Sequence, residues 1–121
     1  MSYKTFKNLN TVEKLVDKKS IDLVDSEHLN LLLKKFPIVV VDVWAQWCRP
    51  CKLIANDYEK LANKYPQIIF CKDNIDNENS PHKNKCDVVP TFFFYAYGEI
   101  KKLPGADFTA IEQYLEKLLD R

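Results

Sequence analysis

The chain of 121 residues is 46% apolar, 29% charged and 12% aromatic, with a formal net charge of +1, which suits one soluble domain able to bury a core without disulfide staples or structural metal. Eighteen basic residues are interspersed with seventeen acidic ones, so no basic patch favours nucleic acid as a partner. The longest apolar run, Ile38 to Ala45 with Asp42 inside it, is far short of a membrane span and argues against a membrane protein.

Residues 1–19 contain one candidate element: Asn10 as N-cap, Glu13 three residues later, and Val12, Leu15 and Val16 on one face predict a short helix. The opening MSYKTFKNLN has neither the apolar core and cleavage site of a secretory signal nor an arginine suggesting a mitochondrial transit peptide. The expected compartment is therefore cytoplasmic, or organellar if a leader has been removed. Ser20 to Val24 reads as a first strand. Ser26, Leu29, Leu32, Leu33 and Phe36 then trace an amphipathic helix stopped by Pro37. The valine-rich run Ile38 to Ala45 predicts a strand covered on both faces, as the middle of an α/β sheet requires.

From Pro50 the apolar period changes. Leu53, Ile54, Tyr58, Leu61, Ala62 and Tyr65 recur at three and four, so a second helix is expected, closed by Pro66. Gln67 to Lys72 is a strand, and Asp73 to Lys85 is polar and loosely structured, with Pro81 placed to open a turn of helix. Thr91 to Ala96 and Glu99 to Leu103 are strands joined through Tyr97 and Gly98 as an antiparallel hairpin. The last helix has Thr109 as cap, Glu112 completing a capping box, and Ile111, Tyr114, Leu115, Leu118 and Leu119 as its apolar stripe. The order β-α-β-α-β-(α)-β-β-α predicts one mixed sheet between two layers of helices, without repeats or linkers.

Cys48 and Cys51 fall at the carboxyl end of the buried strand and the amino end of the next helix, where open α/β sheets place their chemistry. A thiol that works near neutral pH must have its pKa lowered from about 8.5. Unpaired N–H groups and the positive end of the helix dipole favour an anion at Cys48, and the adjacent Arg49 adds a fixed positive charge. Pro50 suits the first helical turn. Cys51, three residues on, returns to the same face within disulfide reach. Cys48 can then attack a disulfide and Cys51 displace the product. Half of a zinc site is the competing reading, but Cys71 and Cys86 are not at ligand spacing, His82 lies in a polar loop and His28 in a helix, so no metal is expected. Four cysteines without a secretory signal fit reduced or redox-active thiols better than a disulfide framework.

WAQWCRPCK resembles the thioredoxin family motif, and the likeness runs from about Ser20 to the C-terminus, about five-sixths of the chain. VVVDVWA, CKDNID, VVPTFFF, Gly98 and PGA at Pro104 to Ala106 agree with that family in order. The resemblance implies a thioredoxin fold over 20–121, with residues 1–19 as an N-terminal extension outside it. Asp42 is similar to the family's buried aspartate beneath the second cysteine, which takes the Cys51 proton through water, and Lys72 to its ion-pair partner. Pro90 resembles the cis-proline opposite the disulfide, leaving the Val89 backbone free to bind an extended substrate. By the same resemblance Trp47, Val88, Val89, Gly105 and Ala106 would complete a shallow apolar docking surface, with Gly105 allowing close approach, whereas Trp44 is expected in the core.

What the resemblance implies functionally is a monomeric protein-disulfide reductase with no bound cofactor. NADPH-dependent thioredoxin reductase would recharge it, and peroxiredoxins would be among its disulfide-containing targets. Two other readings are a thioredoxin-fold adaptor module in a larger assembly, and an oxidase or isomerase suggested by Arg49 alone. The sequence also departs from the family: Arg49 replaces the usual glycine and is expected to make the pair more oxidising, Asn56 replaces a kinking proline so that the helix should be straighter, and Val43 replaces a common aromatic. Cys71 and Cys86 are expected to be buried bystanders.

Overall fold

The computed structural model describes residues 17–120. They form β1 (Ile21–Asp22), α1 (Ser26–Lys35), β2 (Ile38–Trp44), α2 (Arg49–Lys64), β3 (Ile69–Asn74), β4 (Thr91–Ala96), β5 (Glu99–Pro104) and α3 (Phe108–Leu119). The strands make one five-stranded sheet in the order β1-β3-β2-β4-β5. β1 and β2 run parallel to β3, whereas β4 runs antiparallel to β2 and β5. This is the expected mixed sheet of a thioredoxin fold. The predicted N-terminal helix at Asn10 to Val16 lies outside the described residues.

Alternation along β2 sends its valines to both faces. Val40 joins Ile54, Tyr58 and Leu61 of α2 and Ile111, Leu115 and Leu118 of α3 in the larger core. Val39, Val41 and Val43 face Leu29, Leu32 and Leu33 of α1 on the other side. Asp42 lies two residues from Val40 and shares the α2 face of the sheet, so the chain places a carboxyl group inside its main core. α2 runs unbroken through Asn56 for 16 residues.

Several boundaries differ from expectation. β3 begins at Ile69 and continues through Asp73 and Asn74, because pairing with Val43 and Trp44 of β2 holds these polar residues in strand geometry. α3 is capped by Asp107, whose carboxylate accepts the Ala110 N–H, so Thr109 lies inside the helix. The proposed box residue Glu112 instead pairs with Lys64 at 2.9 Å. α1 likewise takes Asp25 as N-cap, accepting from His28 N–H. Pro81 opens no helical turn: residues 74–85 fold as successive four-residue turns, including Lys83 N–H to Ser80 O at 3.3 Å.

Glu59 of α2 fastens the start of the fold. Its carboxylate accepts Lys19 N–H at 2.9 Å, Ser20 N–H at 3.0 Å and the Ser20 hydroxyl at 2.5 Å. Burial alone would raise its pKa, but these bonds and Lys18 leave the carboxyl below its ordinary value. A carboxyl lowered on folding stabilises fully above its unfolded pKa, and the gain disappears as pH falls through the lower folded value. Glu59→Ala is expected to cost about 1–2 kcal/mol at neutral pH, after allowing for partial solvent screening. Urea unfolding should show the difference from the parent shrinking below about pH 4.

Candidate active site

The main chain turns at the end of β2 through Ala45, whose carbonyl accepts the Cys48 N–H at 3.1 Å. Cys48 is the N-cap residue of α2, with extended backbone, and Arg49 and Pro50 occupy the first helical turn. In place of the usual capping oxygen, the Cys48 sulfur accepts the Cys51 N–H at 3.1 Å. The helix N-terminus is therefore aimed at this sulfur, as the spacing implies. The two cysteines are joined as a disulfide across a Cα separation of 5.3 Å, and each is 3% exposed. Arg49 and Pro50 lie on the exposed rim beside them.

Opposite the pair, the Val89–Pro90 peptide is cis. The Val89 carbonyl oxygen lies 3.5 Å from the Cys48 sulfur, the Val88 carbonyl accepts the Thr91 hydroxyl, and the Pro90 carbonyl accepts the Gly105 N–H at 2.7 Å. Trp47 is 69% exposed and Val88 50% exposed, leaving apolar area on either side of the nearly buried sulfur. The Trp47 indole N–H donates to Asp76 at 2.9 Å. Ala106 is exposed beside Gly105. Apart from its chain neighbours, no heavy atom of the described residues comes within 4 Å of where a Gly105 side chain would begin, so among them its requirement is the φ of +91° rather than crowding.

Asp42 is fully buried, and neither carboxylate oxygen has a hydrogen-bond partner among the described residues. Desolvation pushes its pKa up to about 7, opposed by Lys72 and reinforced by Glu59. The expected Asp42–Lys72 contact is not formed as an ion pair: the two are register partners on adjacent strands, but the Lys72 ammonium lies over the Trp44 ring, 4.6 Å from its centroid. Lys72 therefore acts on Asp42 through space. Trp44 is half-buried and packs against Ala45, Cys48 and Cys51, as a supporting wall.

The other two thiols stand apart. Burial pushes Cys71 up to about 12, and it also raises Cys86, which is half-buried. Both are poor nucleophiles near neutral pH. One group was not anticipated from sequence. His82, placed in a polar loop by composition, is fully buried between Asp73 and Tyr95. No cluster of three or more metal-ligating side chains occurs among the described residues.

The thioredoxin family model matches residues 19–117. A thioredoxin of Coprinus comatus is 35% identical over 97 residues, covering 77% of this chain and 92% of that protein. The oxidised mitochondrial thioredoxin 3 of Saccharomyces cerevisiae superposes with a TM-score of 0.76 at 30% identity, over 82% of this chain and 95% of that one. A chain from a structural study of thiol resolution in a yeast mitochondrial 1-Cys peroxiredoxin by glutathione and thioredoxin systems superposes at 0.73 and 30% identity, over 82% and 95% of the two chains.

Proposed function

The chain belongs to the thioredoxin family and is a thiol-disulfide oxidoreductase, and on that premise we propose that it reduces protein disulfides with Cys48 as attacking thiolate and Cys51 as resolving thiol. The observation that carries this reading is the Cys48 sulfur in the N-cap position, receiving the Cys51 N–H with the dipole of α2 behind it. In the reduced protein the Cys48 thiolate attacks one sulfur of a substrate disulfide, forming a mixed disulfide and expelling the other sulfur as a thiolate. Cys51 gives its proton to Asp42 and attacks Cys48, closing the internal disulfide and releasing the second substrate thiolate. Two electrons pass to the substrate, and the expelled thiolates take up protons.

Arg49 and Pro50 tune this pair from the first helical turn, and Lys72 tunes Asp42. Trp47, Val88, Val89, Pro90, Gly105 and Ala106 form the docking surface for an extended substrate segment. A thioredoxin reductase drawing on NADPH returns the two electrons, the chain works as a monomer, and oxidised peroxiredoxins are a fitting target class. Cytoplasmic residence accords with Cys71 and Cys86 remaining free thiols.

The test is NADPH oxidation coupled through thioredoxin reductase to insulin-disulfide reduction. Wild type should turn over rapidly and Cys48→Ser should not. If wild-type protein fails with several reductases, the adaptor reading takes the place of the reductase one.

A further inference from the structure

Away from the disulfide, buried polar groups concentrate where Asp73, His82 and Tyr95 meet. Asp73 and His82 are both fully buried. One oxygen of Asp73 accepts three bonds: the Ser80 hydroxyl at 2.8 Å, the His82 backbone N–H at 3.1 Å and His82 Nδ1–H at 2.8 Å. The opposite imidazole nitrogen lies 2.7 Å from the Tyr95 hydroxyl, and the ring rests on Phe93 at 4.4 Å between centroids. A buried polar set of this kind is costly, and the other Asp73 oxygen is buried with no hydrogen-bond partner among the described residues, so the bonds through the first oxygen and Tyr95 are what hold His82 in one arrangement.

Its place in the sheet gives that arrangement a use. β3 and β4 flank β2 on opposite sides, so His82 spans the strand that leads into Cys48 and is bonded to both neighbours. It also sits within the long connection between them, residues 75–90. Near its start this connection supplies Asp76, which holds the Trp47 indole, and it ends in Val88, Val89 and Pro90. The backbone bonds inside it, such as Lys85 N–H to His82 O at 3.0 Å, shape single turns without fixing where the segment lies on the sheet. The two ends are tied down by Ile75 N–H to Trp44 O at 2.8 Å and Gly105 N–H to Pro90 O at 2.7 Å, and the Lys102 ammonium donates to Lys85 O at 2.6 Å. The bonds through His82 fix the middle of the segment to β3 and β4.

We propose that His82, clamped between Asp73 and Tyr95, is a positioning residue for the protein-docking surface, setting where Asp76 and Val88–Pro90 stand relative to Cys48. This rests on the reductase reading above. His82 touches no reacting atom. A small disulfide needs only the Cys48 thiolate, whereas a protein disulfide must also lay an extended segment along residues 88–90. Loosening the clamp therefore penalises docking while leaving the exchange chemistry in place.

Tyr95→Phe removes only the hydroxyl and keeps the ring, so it tests the clamp even if His82→Ala fails to fold. In Tyr95→Phe, amide hydrogen exchange across residues 76–89 should accelerate by about tenfold while the α3 amides keep their parent rates. The insulin KM should rise about fivefold with kcat within about twofold of the parent, and the rate constant for bis(2-hydroxyethyl) disulfide should also stay within about twofold. Unchanged exchange in 76–89 would overturn the inference, and so would insulin and small-disulfide rates falling in step. Wild-type protein that reduces the small disulfide but not insulin would instead overturn the reductase reading. The exchange measurement still decides the clamp in that case.

Discussion

Cys51→Ser is expected to convert a turnover catalyst into a trap. The variant retains the features that activate Cys48: the N-cap position, the position-51 N–H directed at the sulfur, and the start of α2. First attack should proceed, and the mixed disulfide should then persist, because a serine hydroxyl does not displace a thiolate from a disulfide. Multiple-turnover insulin reduction should fall by at least about a thousandfold. Intact mass of protein mixed with a disulfide substrate should show one substrate moiety on Cys48. The wild-type advantage lies in proximity: Cys51 is one helical turn away, with a Cα separation of 5.3 Å, so release is intramolecular. Neither remaining thiol can substitute, since Cys71 is fully buried with its pKa pushed up to about 12, and burial also raises Cys86. Undiminished turnover by Cys51→Ser would refute the two-thiol mechanism.

The sequence made the catalytic end of the molecule legible because its signals are local. A β-branched run, a change of period and two cysteines spaced by two residues each report on a single turn or strand, and the structure places Cys48 at the strand–helix junction those signals imply. Signals that depend on a distant partner were less readable. Thr109 and Glu112 satisfy the capping pattern, but packing starts α3 earlier and assigns the cap to Asp107. Asp73 and Asn74 carry no strand propensity of their own and are strand only because β2 pairs with them. His82 shows the limit most clearly. Its neighbours Ser80, Pro81 and Lys83 describe a solvated turn, and nothing nearby in sequence announces that Asp73 and Tyr95 will receive both ring nitrogens. The Lys72 correction has the same origin. Register places it beside Asp42, but the aromatic face of Trp44 takes its ammonium.

Asp42→Ala should make the protein more stable and a poorer reductase, with both effects depending on pH. The carboxyl has an ordinary pKa of 3.8 and is pushed up to about 7 by burial. Between those values the folded chain holds a proton that the unfolded chain has lost, so stability falls as pH rises through the window. A displacement of about three units corresponds to about 4 kcal/mol once pH exceeds both values. The small cavity left by the substitution offsets part of this gain. Above about pH 8, urea unfolding should find Asp42→Ala more stable than the parent by about 2–4 kcal/mol, and most of that advantage should vanish near pH 4. In the proposed mechanism this carboxylate accepts the Cys51 proton near neutrality. Release of substrate from the mixed disulfide should slow by about tenfold to a hundredfold near pH 7 and recover as rising pH ionises Cys51 directly. First attack by Cys48, which does not use that proton acceptor, should change far less. A variant no more stable than the parent above pH 8 would mean that water solvates the Asp42 carboxylate, removing the desolvation that gives this aspartate a pKa suited to proton transfer with a thiol.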